Sequence, residues 1–146
     1  MNSSRLRLNF VSAALVATFA LASPALADMV KYKAALKGAS VVPPSDSKGT
    51  GSLTVTYNTA SKKLTWKGAY TGLTGPATAA HFHGPADVGK NAAVAVPIGR
   101  ATSPMAGKAT LTATQAADLA AGKWYVNVHT AKFPDGEIRG QVVKSK

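Results

Sequence analysis

The feature that most constrains this chain is a two-residue alternation of apolar and polar side chains. In the segment GSLTVTYN, Leu53, Val55 and Tyr57 alternate with the polar residues Ser52, Thr54 and Thr56. The next segment, KLTWKGAY at residues 63–70, alternates in the same way after a short polar spacer. Successive side chains of a β-strand point to opposite faces, so this period predicts two half-buried strands that form a hairpin.

Six further segments have strand-like patterns and are separated by stretches rich in glycine and proline: residues 30–36, 78–84, 92–98, 107–112, 124–130 and 137–143. The segment TATQAADLAAG breaks the alternation with helical spacing, with Thr114 as the expected N-cap and Gly122 as the stop. The pattern therefore predicts an all-β fold. We expect an antiparallel Greek-key β-sandwich or barrel of about eight strands with one short helix.

The N-terminal segment is typical of a secretory signal peptide. Two arginines precede an apolar run, and Ala25, Leu26 and Ala27 form an A-x-A cleavage pattern. The run is shorter than the roughly 20 residues that span a bilayer, which makes a membrane anchor the weaker alternative. We expect cleavage of residues 1–27, leaving residues 28–146 as one periplasmic or secreted domain without a membrane span.

Composition limits the partners and the chemistry. The chain has no cysteine, which excludes disulfides and cysteine-based zinc sites. It carries 17 Lys+Arg against 6 Asp+Glu, a net charge of +11 that favours anionic partners such as an acidic polysaccharide. The lysines form no long run, so a solvated basic face of a monomer is the simpler interpretation, and no motif supports specific nucleic-acid binding.

The three histidines of the chain are the candidate metal ligands. His81 and His83 flank Phe82, so if Phe82 enters the core both imidazoles leave the opposite face of the strand. His129 lies on the non-core face of another predicted strand. Three imidazoles suit Cu(II) or Zn(II), and copper has the higher intrinsic affinity. A purely structural role for these histidines, with no cofactor, is the alternative, because short motifs have weak specificity.

Other polar residues share the expected face of the last two strands. Asn127 follows the same parity as His129, and Glu137 and Arg139 occupy non-core positions of the last strand. The turn-forming sequence Pro-Asp-Gly lies between the two strands, so we expect them to pair and Glu137 to lie near His129. Glu137 or Asp87 could then assist a metal ion. A hydrogen-bonded network of Asn127, His129, Glu137 and Arg139 accounts for the residues equally well.

Four segments together resemble the CHRD domain, the module repeated in chordin and found singly in exported bacterial proteins. They are ALKGASVVPP, GTGSLTVTYN, GLTGPATAAHFHGPADVGKNA and LTATQAADLAAGKWYVNVHTAKFPDGEIRGQV, and the resemblance extends from Val30 to Val142. It implies an all-β sandwich and a non-enzymatic extracellular binding module of undefined ligand, with an extracellular protein as a further candidate partner. The family usually has Glu before Val-Pro-Pro, and this chain has Val41 there.

The segment HFHG is also similar to the His-x-His strand of copper-zinc superoxide dismutases. The copper of that family has four histidines, one of which bridges to a zinc site with further histidines, so three histidines cannot build the pair. A lone copper at His81, His83 and His129 leaves a superoxide dismutase-like redox activity as an alternative, with Arg139 attracting an anion. Nucleophilic catalysis lacks support, because there is no cysteine and no G-x-S-x-G motif.

Overall fold

The computed structural model describes residues 27–146, so the predicted signal peptide, residues 1–27, lies almost entirely outside the described residues. The chain elements within this range are β1 (Met29–Lys37), a 3-10 turn (Gly38–Ser40), β2 (Thr50–Asn58), β3 (Lys63–Thr71), β4 (Ala77–His83), β5 (Val94–Pro97), β6 (Met105–Thr110), α1 (Ala113–Ala120), β7 (Tyr125–Thr130), β8 (Ile138–Gln141) and β9 (Val143–Lys144). In this part of the chain, no helix has the length and apolarity needed to cross a membrane.

The strands form one antiparallel sheet that curves into a nearly closed barrel-like form, in the order β5-β4-β7-β8-β1-β2-β3-β6. Both β8 and β9 pair with β1 in the same register, so they continue one strand that is interrupted at Val142. The backbone N–H of Val142 donates to the carbonyl of Trp124, which precedes β7, rather than to β1. The predicted all-β fold with one short helix is confirmed.

The core fills the inside of the curved sheet, as the alternation predicts. The expected hairpin is present as β2 and β3, with Val55 opposite Trp66. Phe82 is fully buried, and its ring meets Trp66 edge to face with centroids 5.2 Å apart. Gly107 lies directly against the Trp66 ring, where a Cβ atom would collide. Because Phe82 enters the core, its two histidine neighbours lie on the outer face of β4.

The N-cap of the helix lies two residues earlier than predicted. Thr112, not Thr114, is the N-cap: its Oγ1 accepts from the N–H of Gln115 at 3.1 Å. The side chain of Gln115 accepts in turn from the N–H of Thr112 at 3.0 Å, which completes a capping box. Three residues after Thr114 the chain has Ala117, which has no side-chain acceptor, so a reciprocal cap forms only from Thr112.

Candidate functional site

Pairing of β4 with β7 brings the three histidines together. In this register His81 lies opposite Asn127, and His129 lies opposite Ala79. The small side chain of Ala79 leaves space beside His129, and His81 Nδ1 lies 3.2 Å from His129 Nε2. One nitrogen from each of His81, His83 and His129 lies within 4.8 Å of the other two. The outer face of these strands therefore presents three converging imidazoles.

Backbone carbonyls fix the protonation of two of these rings. His83 Nδ1 lies 3.0 Å from the carbonyl oxygen of Ala92, and His129 Nδ1 lies 2.8 Å from that of Pro134. A carbonyl only accepts, so in the neutral form of each ring Nδ1 carries the proton and Nε2 has the lone pair. The Nε2 of His83 is buried and has no hydrogen-bond partner. Metal-binding histidines typically donate the second ring N–H to a carbonyl in this way.

The spacing of the nitrogens is compatible with one tetrahedral ion. Bonds of about 2.0–2.1 Å to a zinc-like ion place neighbouring nitrogens roughly 3.3 Å apart. The 3.2 Å separation of His81 Nδ1 and His129 Nε2 already matches this spacing. A metal ion would take the place of the proton that these two rings share. The ligand nitrogen of His83 lies within 4.8 Å of the other two.

The electrostatic environment favours neutral imidazoles. Desolvation by burial lowers the pKa of His81, and the nearby His129 lowers it further. Burial also lowers the pKa of His83; the Ala92 carbonyl opposes this shift, and the positive charges of His81, His129 and Arg139 add to it. Only a neutral imidazole offers a lone pair, so these shifts keep the rings competent as ligands near neutral pH.

A stack of three side chains supports His83. The rings of His83 and Tyr125 lie face to face, with centroids 4.9 Å apart and planes inclined by 4°. The guanidinium carbon of Arg139 lies 3.4 Å from the centroid of the Tyr125 ring. Arg139 is buried, and it donates to Asn91 Oδ1 at 2.8 Å and to the Lys90 carbonyl at 2.6 Å. Arg139 therefore holds the Tyr125 ring that stacks on His83, and its positive charge contributes to the lowered pKa of His83.

Asn127 supports His129 through a loop. Its Nδ2 donates to the carbonyl of Asp135 at 2.9 Å, in the loop whose Pro134 carbonyl orients His129. The Oδ1 atom of Asn127 is buried without a hydrogen-bond partner. Gly136 of the same loop packs against this amide so closely that a Cβ atom would collide with it. Asn127 thus holds the loop rather than contacting the imidazoles through a hydrogen bond.

Glu137 continues the pairing of β7 with β8, since its N–H donates to the carbonyl of Val128, next to His129, but its carboxylate bonds to other residues. Its carboxylate accepts hydrogen bonds from Ser47 Oγ at 2.7 Å, Thr130 Oγ1 at 2.6 Å and both the N–H and Oγ1 of Thr74, at 2.7 and 2.9 Å. Glu137 precedes β8, and strand parity therefore does not set its direction. Its fully buried carboxylate joins separate chain segments and is bonded to no histidine in the described structure.

Several residues that shape the site are not among the predicted site residues. Tyr125 was predictable as a site residue, because it lies on the same face of its strand as Asn127 and His129. The carbonyls of Ala92 and Pro134 lie in loops and have no sequence signal. Asp87 lies outside the histidine group and forms an exposed ion pair with Lys123 at 3.8 Å.

The comparisons with known proteins give one match. The family model for the CHRD domain matches residues 32–142, which include the three histidines and their supporting residues. Neither a curated protein nor a solved structure matches the chain. Val41, which precedes the Val-Pro-Pro segment, is buried and lines a cavity of about 380 Å³ together with Lys37 and Arg139.

Proposed function

The chain belongs to the CHRD domain family, and we propose that it is an exported binding module whose ligand is one copper or zinc ion. His81, His83 and His129 would be the ligands. The observation that carries this proposal is the buried, unpartnered Nε2 of His83 beside two further imidazoles. An unsatisfied buried acceptor is unfavourable, and a bound cation would satisfy it.

The ligand set favours a borderline metal ion. Imidazole nitrogen suits Zn(II) and Cu(II), and for a given set of nitrogen ligands Cu(II) binds more tightly than Zn(II). Three protein ligands leave a coordination position for water or another small ligand. His81 and His129 are partly exposed, so an ion can reach the cluster from solvent. These features support reversible binding of one ion at the outer face of β4 and β7.

Export supports the same function. The predicted signal peptide, residues 1–27, would place the domain in the periplasm or outside the cell, and CHRD domains occur in extracellular proteins. A metal-binding module there would buffer copper or zinc before it reaches the cell interior. Fractionation of cells that express the full chain tests this placement: cytosolic accumulation of the uncleaved chain would contradict it.

The direct test is metal stoichiometry. The purified protein is titrated with Cu(II) and separately with Zn(II), and bound metal is quantified after desalting. We expect one ion per chain and, for Cu(II), nitrogen hyperfine splitting in the electron paramagnetic resonance spectrum. The variant His83→Ala should lose this ion. No other histidine exists in the chain to replace it.

The matched control removes a possible ligand outside the cluster. Asp87→Asn deletes an exposed carboxylate that pairs with Lys123, and it should retain the full stoichiometry. Retention of the ion by His83→Ala, or an equal loss in Asp87→Asn, would show that the metal binds elsewhere. The proposal for the histidine cluster would then be abandoned.

A further inference from the structure

Lysines that are scattered along the sequence gather on one outer face of the sheet. Four neighbouring strands, β1, β2, β3 and β6, turn their apolar side chains into the core. Their outward positions carry six exposed lysines: Lys31, Lys33, Lys37, Lys63, Lys67 and Lys108. Between the lysines of β1 and those of β3, the strand β2 presents a row of four hydroxyl side chains, Thr50, Ser52, Thr54 and Thr56, which ends at Asn58. We call these ten residues the lysine–threonine face.

The strand registers show how the face is arranged. Lys33 lies beside Thr54, and Thr54 lies beside Lys67 on the next strand. Since adjacent strands are about 4.8 Å apart, the lysine rows of β1 and β3 are about 10 Å apart. The hydroxyl row of β2 runs between them. A shallow depression of about 140 Å³ is lined by residues of β2 and β3 at this place, including Thr54 and Lys67.

The charge of this face has no counterpart within it. All six acidic residues of the chain lie outside the four strands: Asp28, Asp46, Asp87, Asp118, Asp135 and Glu137. Among residues 27–146 the recorded ion pair joins Lys123 and Asp87, both away from the face. The lysines therefore produce an uncompensated positive potential over this outer face of the sheet.

We propose that the lysine–threonine face binds a linear acidic polysaccharide. One extended chain fits along the hydroxyl row, with its carboxylates toward the flanking lysines and its hydroxyls toward the threonines. Three of the four aromatic side chains of these strands, Tyr32, Tyr57 and Trp66, are buried on the opposite side, and the fourth, Tyr70, is partly buried against the same core. The face thus has no stacking platform for bases, which disfavours single-stranded nucleic acid. This proposal is independent of the metal site, because the histidines lie on β4 and β7.

The experiment uses the full chain with polygalacturonate as the carboxylated probe and neutral dextran as the uncharged probe. Binding is measured by biolayer interferometry at two salt concentrations. The face variant removes four charges: Lys31→Gln, Lys33→Gln, Lys67→Gln and Lys108→Gln. All four side chains are exposed, so the fold should persist, and circular dichroism checks this. We expect polygalacturonate to bind at least about tenfold more weakly to this variant at low salt.

A control variant removes the same number of charges from exposed loop and terminal positions: Lys48→Gln, Lys90→Gln, Lys132→Gln and Lys146→Gln. Its affinity should change by less than about threefold, because these charges lie in loops and at the C-terminus and not along the proposed binding row. Equal losses of affinity in the two variants would overturn the proposal, because binding would then depend only on the net charge of the protein. Tighter binding of wild type to a single-stranded DNA oligomer than to polygalacturonate would also overturn it.

Chemical-shift mapping provides a readout that does not depend on the variants. Titration of the wild-type protein with a short galacturonate oligomer should perturb amides of β1, β2 and β3. Amides around His83 and Tyr125 should remain unperturbed. The reverse distribution of shifts, or binding of neutral dextran with equal affinity, would contradict the assignment of the face.

Discussion

His83 and Tyr125 lie face to face across the pairing of β4 with β7, and they share one backbone carbonyl. Their ring centroids are 4.9 Å apart. The carbonyl of Ala92 accepts from His83 Nδ1 at 3.0 Å and from the Tyr125 hydroxyl at 3.3 Å, and that hydroxyl accepts from the Ala92 N–H at 3.0 Å. Tyr125 therefore supports both the ring plane of His83 and the acceptor that sets its tautomer.

Two substitutions separate these contributions of Tyr125. Tyr125→Phe keeps the stacked ring and removes the hydroxyl, so we expect a loss of about 1 kcal/mol in the free energy of unfolding. Tyr125→Leu also removes the contacts with His83 and Arg139, and a loss of about 2–4 kcal/mol is expected. Zinc affinity should fall more for the leucine variant. Denaturant unfolding and calorimetric titration measure both quantities, and equal effects of the two variants would contradict a role for the ring.

Gly136 should tolerate no side chain. Its φ of 127° lies in the region that favours glycine, and a Cβ atom would collide with the Asn127 amide. We expect Gly136→Ala to lower the free energy of unfolding by about 1–3 kcal/mol. Zinc affinity should fall as well, because the displaced loop carries the Pro134 carbonyl that orients His129.

Gly75→Ala is the matched control for this prediction. No atom lies within 4 Å of a Cβ added there, and the residue has no positive φ. Its effect on stability should stay within about 0.5 kcal/mol. Similar behaviour of the two alanine variants in thermal unfolding would argue against strain at Gly136.

The fold could be predicted because one physical rule governs most of it. Alternation decides which side chains enter the core, and it correctly assigned Val55, Trp66 and Phe82 to the interior. Parity does not determine hydrogen-bond partners where a strand ends or is interrupted. Glu137 lies just before β8 and turns to Thr130, and Val142 interrupts the last strand. The true helix cap at Thr112 was recognisable from the capping-box spacing Thr-x-x-Gln, which predicts its reciprocal bond with Gln115.

The candidate site was predictable only in part for the same reason. Parity placed the three imidazoles on one face, but it contains no information on the loops that cover that face. The carbonyls of Ala92 and Pro134 fix the tautomers of His83 and His129, and any residue type supplies a carbonyl. The lysine–threonine face was hidden because its lysines belong to three strands that only the sheet order brings together.

Glu137 should make the stability of the protein sensitive to acid. Burial raises the pKa of its carboxyl group, but hydrogen bonds from Ser47, Thr130 and Thr74 outweigh burial and hold the pKa below its ordinary value of 4.5. The folded-state pKa is thus depressed relative to the unfolded chain. The stabilisation by Glu137 is therefore fully present above about pH 4.5 and is lost as the pH falls through the folded-state pKa.

The variant Glu137→Gln tests this assignment. Glutamine cannot ionise and accepts fewer hydrogen bonds, so at pH 7 we expect a loss of about 1–3 kcal/mol. Between pH 5 and pH 3 the stability of the variant should fall less steeply than that of wild type, measured by urea unfolding at a series of pH values. Parallel pH profiles would place the acid sensitivity in another carboxylate.

Arg139 should not be replaceable by lysine. Its planar guanidinium stacks on Tyr125 while donating to Asn91 and to the Lys90 carbonyl, and a lysine ammonium cannot do both. We expect Arg139→Lys to lower the free energy of unfolding by about 2–3 kcal/mol. The control Arg100→Lys alters an exposed arginine that bonds Thr102, and it should change stability by no more than about 0.5 kcal/mol. If urea unfolding gave the two variants the same midpoint, the buried stack would contribute nothing beyond its charge.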